Sequence, residues 1–119
     1  MIRLYRLFVA ICICESGMNM VAVNMKTNST GPAQITQVVL DDYNEMRPKE
    51  PPMTLAKVRR MDTSFMVFRY YLTRYKRLTH GQSLVTVDEA RAIASCWRNG
   101  PYGSGHVDYI DRVVNLCLK

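Results

Sequence analysis

The chain has 119 residues, 48% of them hydrophobic and 22% charged, and carries 16 Lys and Arg against 10 Asp and Glu, a net charge of +6. That length holds one domain with one core; it excludes a full dinucleotide-binding pair of halves, a (β/α)₈ barrel or a multidomain machine. The composition excludes a disordered or collagen-like chain, and no apolar run reaches the ~18–20 residues that cross a bilayer. Residues 2–15 are apolar nearly all round, with Leu4, Leu7, Phe8, Ala10, Ile11 and Ile13. A helix without a polar face belongs in a core, and Gly17 can end it in a left-handed conformation. The same stretch also has the outline of a short leader, basic at Arg3 and Arg6 and then apolar to Cys14. Its cleavage site, near Glu15, is poor, and the buried helix is the preferred reading. Residues 18–33 are rich in Asn, Thr, Ser and Gly and predict a loop or a short hairpin. Ile35, Val38, Val39 and Tyr43 suit a short amphipathic helix over 35–43. Pro48, Pro51 and Pro52 mark a connection over 44–53, followed by a short helix over 54–60. Asp62, Thr63 or Ser64 caps the next helix, whose stripe is Phe65, Phe68, Leu72 and Tyr75. Residues 78–85 read as a loop. Thr86-Val87-Asp88-Glu89 is a capping box that opens a helix to about Trp97. A loop over Asn99–Gly105 then leads to a final helix from Val107, with Tyr109, Ile110, Val113 and Leu116 inward. The fold class is mainly α (α+β), a single domain over 1–119 with a small hairpin within 18–33.

The positive balance favours an anionic polymer such as an acidic cell wall, beside plain solubility. Arg69, Arg74, Lys76 and Arg77 read first as a solvated helix face. There is no ordered array of basic and aromatic residues, so nucleic acid is not expected as a partner. Four cysteines, Cys12, Cys14, Cys96 and Cys117, permit two disulfides in three pairings. Cys12 and Cys14 are two apart on a helix and face different sides, which disfavours a mutual bond or a shared metal ion. Buried free thiols are the preferred reading. His80 and His106 are isolated, so neither a metal nor another cofactor is expected.

Glu15 is the informative residue, although taken alone it reads first as a helix end that faces water. A carboxylate at the end of an all-apolar helix is costly to hold ionised, and desolvation keeps it protonated near neutrality. A protonated carboxyl facing a cleft can donate to the leaving oxygen of a glycoside. The residues around it point the same way. Glu15-Ser16-Gly17 is followed by Asn19, by Ala22-Val23-Asn24 and, about sixteen residues after Glu15, by Gly31-Pro32-Ala33-Gln34-Ile35. Further on come Tyr70-Tyr71-Leu72-Thr73-Arg74-Tyr75, Trp97-Arg98-Asn99-Gly100-Pro101 and Tyr109-Ile110-Asp111-Arg112-Val113. In this order, over nearly all of 5–117, the chain resembles the lysozyme-like superfamily, specifically the soluble lytic transglycosylase type. It shares Cys-Ile-Cys before Glu-Ser-Gly with the invertebrate-type lysozymes.

The resemblance implies a lysozyme-like α+β domain with a cleft, acting on peptidoglycan glycan strands at the bacterial cell wall. Phage or bacterial members are the models for such a role. Glu15 would be acid and then base, and Ser16 would orient the carboxyl or the sugar. Gln34 would donate a side-chain hydrogen bond to an N-acetyl sugar, Ile35 would form cleft wall, and Tyr109 would bond or shield Glu15. Asn99 would be a saccharide contact. Plainer roles compete: Ser16 bonding backbone, Gln34 capping the next helix, Tyr109 and Trp97 as core. Two departures stand out. Arg98 occupies the place of an Asn in the family's Trp-Asn-Gly-Gly-Pro loop, and there is no acid between Glu15 and Asp41. A retaining hydrolase needs a second carboxylate at about 5 Å, so the lack favours transglycosylation over a hydrolytic muramidase. A lysozyme-like binding protein without catalysis is the third reading.

Overall fold

A computed structural model describes residues 1–79 and 81–119, so His80 lies outside the described residues. The first helix, α1 (Leu4–Ser16), buries Leu4, Leu7, Phe8, Ala10, Ile11 and Cys12, as its all-round apolar character demands. It ends where Gly17 adopts φ 63°. The Gly17 N–H bonds Ile13 O at 3.0 Å and the Met18 N–H reaches back to Cys12 O at 3.4 Å. This paired ending satisfies carbonyls that the helix leaves free.

Two short antiparallel ribbons complete the fold class expected from sequence, mainly α with some β. β1 (Ile2–Arg3) pairs with β4 (Leu84–Val85), Ile2 opposite Val85. Two expectations are corrected here. Residues 2–3 are strand and not helix, and the 78–85 loop contains a strand. The reason is tertiary: Ile2 and Val85 bury side chains in the core, and an extended backbone lets both do so while their peptide groups bond. The expected hairpin within 18–33 is β2 (Val23–Asn24) with β3 (Ser29–Thr30). Thr30 also bridges to Ile35, which folds the 31–34 turn back on the hairpin.

α2 (Gln37–Met46) is capped by Thr36, whose Oγ1 accepts from Val39 N, and it ends just before Pro48. The short helix expected at 54–60 is a single 3₁₀ turn, Lys57–Arg59. α3 (Met61–Tyr75) starts earlier than expected, so none of the proposed caps is its N-cap. Asp62 sits in the first turn and accepts from Thr63 N at 2.8 Å and from Arg60, where its charge complements the helix dipole. Ser64 is buried and donates to Val58 O at 2.7 Å.

α4 (Val87–Asn99) opens with the capping box in full: Glu89 N donates to Thr86 Oγ1 at 3.0 Å and Thr86 N to Glu89 Oε1 at 2.9 Å. α5 (Val107–Leu118) turns Ile110, Val113, Val114 and Cys117 inward, and leaves Tyr109 and Leu116 half-buried. α1 packs between α5 and α3, and α4 packs on α5. An aromatic cluster of Phe8, Phe65, Phe68, Tyr71 and Trp97 joins α1, α3 and α4. The four thiols are unbonded. Among the described residues no helix is long and apolar enough to cross a membrane.

Candidate active site

A polar groove of about 560 Å³ runs between the end of α1, the β2–β3 hairpin, the 31–36 segment and the end of α4. Cys14 and Glu15 come from α1, and Asn24, Thr27 and Ser29 from the hairpin. Gln34 and Thr36 come from the 31–36 segment, Trp97 and Arg98 from α4, and His106 from the residue before α5. Glu15 is the only carboxylate among the described residues lining it. The acids next along the chain are tied up elsewhere: Asp41 accepts from Gln37, and Asp42 accepts from Arg74 and Tyr75.

The Glu15 side chain is only 8% exposed, and its Oε1 accepts from Arg98 Nη1 at 3.1 Å. Burial raises its pKa above the ordinary carboxyl value. Opposing this, in order of size, are the nearby Tyr109 hydroxyl, the Arg98 guanidinium and His106, and burial outweighs them. Its place in the last turn of α1, where the helix dipole is negative, works in the same direction as burial. The result is a carboxyl with enhanced proton affinity lining a polar groove.

Tyr109 approaches Glu15 from α5. Its hydroxyl is buried and lies close enough to influence the carboxyl, yet no hydrogen bond of normal geometry forms among the described residues. The phenol is held far above its usual pKa, first by burial and then by Glu15, so it remains a neutral donor. Arg98 lies over the Tyr109 ring, 5.4 Å from its centroid.

Several roles read from the resemblance are corrected by geometry. Ser16 does not line the groove. Its hydroxyl donates to Pro32 O at 2.7 Å and approaches Cys12 O at 3.1 Å, so it ties the end of α1 to the 31–34 turn. Ile35 is fully buried and contributes core, not cleft wall, because its backbone pairing with Thr30 turns the side chain inward. Asn99 is not a groove residue either. Its Nδ2 donates to Gly105 O at 3.0 Å and Ser95 Oγ at 3.2 Å, and its Oδ1 meets His106 Nδ1, so the amide braces the 100–106 loop.

Gln34 does reach the groove, with a changed role. Its Nε2 donates to Gly31 O at 3.0 Å and Ala22 O at 3.3 Å. Both donors are spent on carbonyls, which fixes the amide orientation and leaves Oε1 as an acceptor. A sugar N–H or O–H can donate to it; the expected donation from Gln34 is excluded in this arrangement. The backbone at Gln34 has φ 53°, a left-handed value held by this network. Trp97 donates Nε1–H to Ala33 O at 3.0 Å and packs edge-on to Phe68 and Tyr71, so it is chiefly a wall that joins α4 to the turn.

Sequence reasoning missed Arg98, His106, Thr27 and Ser29 as groove residues. Arg98 was visible only as a departure from a motif. Its partner lies 83 positions away, beyond the reach of any local pattern. Among the described residues no group of three or more His, Cys, Asp or Glu side chains could hold a metal ion. No protein-family model, curated protein or solved structure matches the chain.

Proposed function

We propose that the chain is a small peptidoglycan-cleaving enzyme of the lytic transglycosylase type, with Glu15 as its single acid and base. The observation that carries this reading is the nearly buried Glu15 carboxyl, raised in proton affinity, as the one acid among the described residues that line a polar groove. Protonated Glu15 gives its proton to the oxygen that bridges N-acetylmuramic acid and N-acetylglucosamine, and that bond breaks. The substrate's own acetamido oxygen stabilises the positive centre at C1, which dispenses with a second protein carboxylate. The sugar's 6-hydroxyl attacks C1 and passes its proton to the Glu15 carboxylate, leaving a 1,6-anhydro end and restoring the acid. Gln34 Oε1 and the Thr27 and Ser29 hydroxyls supply polar contacts to the sugars, and the neutral Tyr109 phenol shields the carboxyl on the protein side.

The test is digestion of isolated cell walls with mass analysis of the products. Wild type is expected to clear walls and release anhydro ends, lighter by one water than reducing ends. Glu15→Gln should clear them slower by about a hundredfold or more, the size of a general acid's contribution. Reducing ends instead would make the enzyme a hydrolytic muramidase. Equal clearing by both forms would remove Glu15 as catalyst, and no clearing by wild type would leave a saccharide-binding protein.

A further inference from the structure

Glu15 cannot act as an acid while it is the counter-ion of Arg98. Once the carboxyl is protonated, the guanidinium at 3.1 Å loses its anion. Arg98 is then a groove cation with no carboxylate beside it, since Glu15 is the only one among the described lining residues. The rest of the described lining offers no acid in exchange: it consists of the Cys14 thiol, amide and hydroxyl side chains, the Trp97 indole and the His106 imidazole. Of the five N–H donors of the guanidinium, the Nη1 bond to Glu15 is the one used among the described residues. The side chain is 42% exposed, stands at the last turn of α4 and rests on the Tyr109 ring, so it can turn into the groove without disturbing the core. A planar fork of donors suits a carboxylate above other groups.

We infer that Arg98 is a specificity-determining residue that exchanges partners on binding, releasing Glu15 for a carboxylate carried by the saccharide next to the scissile bond, the lactyl carboxylate of a strand freed of its stem peptide. This rests on the reading of Glu15 as the acid. The same exchange couples recognition to chemistry: a glycan with the right charge draws away the cation that lowers the proton affinity of Glu15, and a neutral glycan leaves that cation in place. Arg98 is a recognition and positioning residue here, with no proton of its own to transfer.

The test compares two disaccharides by calorimetry near neutral pH and at fixed salt: N-acetylglucosaminyl-N-acetylmuramic acid with its free lactyl carboxylate, and the same compound as the lactyl carboxamide. Wild type should prefer the carboxylate by about tenfold, the size of one charge-assisted hydrogen bond. Glu15→Gln, which removes the competing anion, should bind the carboxylate about tenfold tighter still and leave the carboxamide unchanged. Arg98→Gln should erase the preference, and Arg98→Lys should restore part of it. A preference that survives Arg98→Gln, or binding of neither compound by any variant, overturns the inference. If the preference depends on Arg98 while Glu15→Gln still clears walls, the anion subsite stands and only the catalytic reading of Glu15 falls. If Glu15→Gln abolishes clearing while Arg98→Gln leaves the preference intact, the partner exchange falls alone.

Discussion

At the scale of single residues, Glu15 sets function against stability. Its proton affinity is higher in the folded chain than the ordinary carboxyl value of 4.5, because burial exceeds the help from Tyr109 and Arg98. The native state therefore binds the proton more readily than the unfolded chain. Stability is full below about pH 4.5 and is lost as pH rises through the raised native value. Glu15→Gln should thus melt higher than wild type near neutral pH, by about 2–5 °C, with the excess shrinking to nothing in acid. Scanning calorimetry across pH checks this. A lower melting temperature for Glu15→Gln at neutral pH would mean that the Arg98 ion pair outweighs burial. Glu15 was singled out in sequence by the motifs around it, since its place at the end of an apolar helix reads equally as a helix end facing water. Of the partners that act on its charge, Tyr109 was reached through the family resemblance, whereas Arg98, on another helix and 83 positions away, was not.

At the scale of elements, the ends and turns place the site. Ser16 and Gln34 each spend side-chain donors on backbone carbonyls, and between them they lock the end of α1, the hairpin and the 31–34 turn around the groove. Gly31 opens this turn with φ +83°, and a Cβ there would meet Val58 O at 2.3 Å. Gly17 has a similar φ of +63°, but a Cβ on it would meet nothing within 4 Å. The two glycines therefore separate backbone strain from steric closure. Gly17→Ala should cost about 1 kcal/mol, the price of a left-handed alanine. Gly31→Ala should cost about 2–3 kcal/mol, because the turn must also move off the 3₁₀ segment. Urea denaturation measures both, and equal losses would show that the Val58 contact relaxes freely. The α4 capping box and the Gly17 ending were readable locally, because each needs only residues within one turn. The start of α3 and the β1–β4 ribbon were not: Arg60 offers no side-chain cap, and strand pairing joins segments about eighty residues apart.

At the scale of the whole molecule, one core encloses three of the four thiols. Cys12, Cys96 and Cys117 are buried, whereas Cys14 lies half-buried in the groove. Burial, aided by Glu15, pushes the Cys12 thiol up to about 12. A disulfide reagent near pH 8 should label Cys14 first and the other three only at the rate of global opening, as followed by mass spectrometry. Uniform rapid labelling of all four would mean that the core does not close around α1. The sequence by itself determined the helical class, the central place of α1 and the main capping signals, since periodicity, turn chemistry and caps act between near neighbours; it left 18–33 as loop or hairpin and reached the candidate acid through a family resemblance. Tertiary structure alone decided which side chains share the groove: it drew Ile35 into the core, set Asn99 to brace a loop, turned Gln34 from donor to acceptor, and brought Arg98 to Glu15 across 83 positions. The physical reason is that charge pairing and burial depend on distances in space, which packing of the helices fixes and local sequence does not encode.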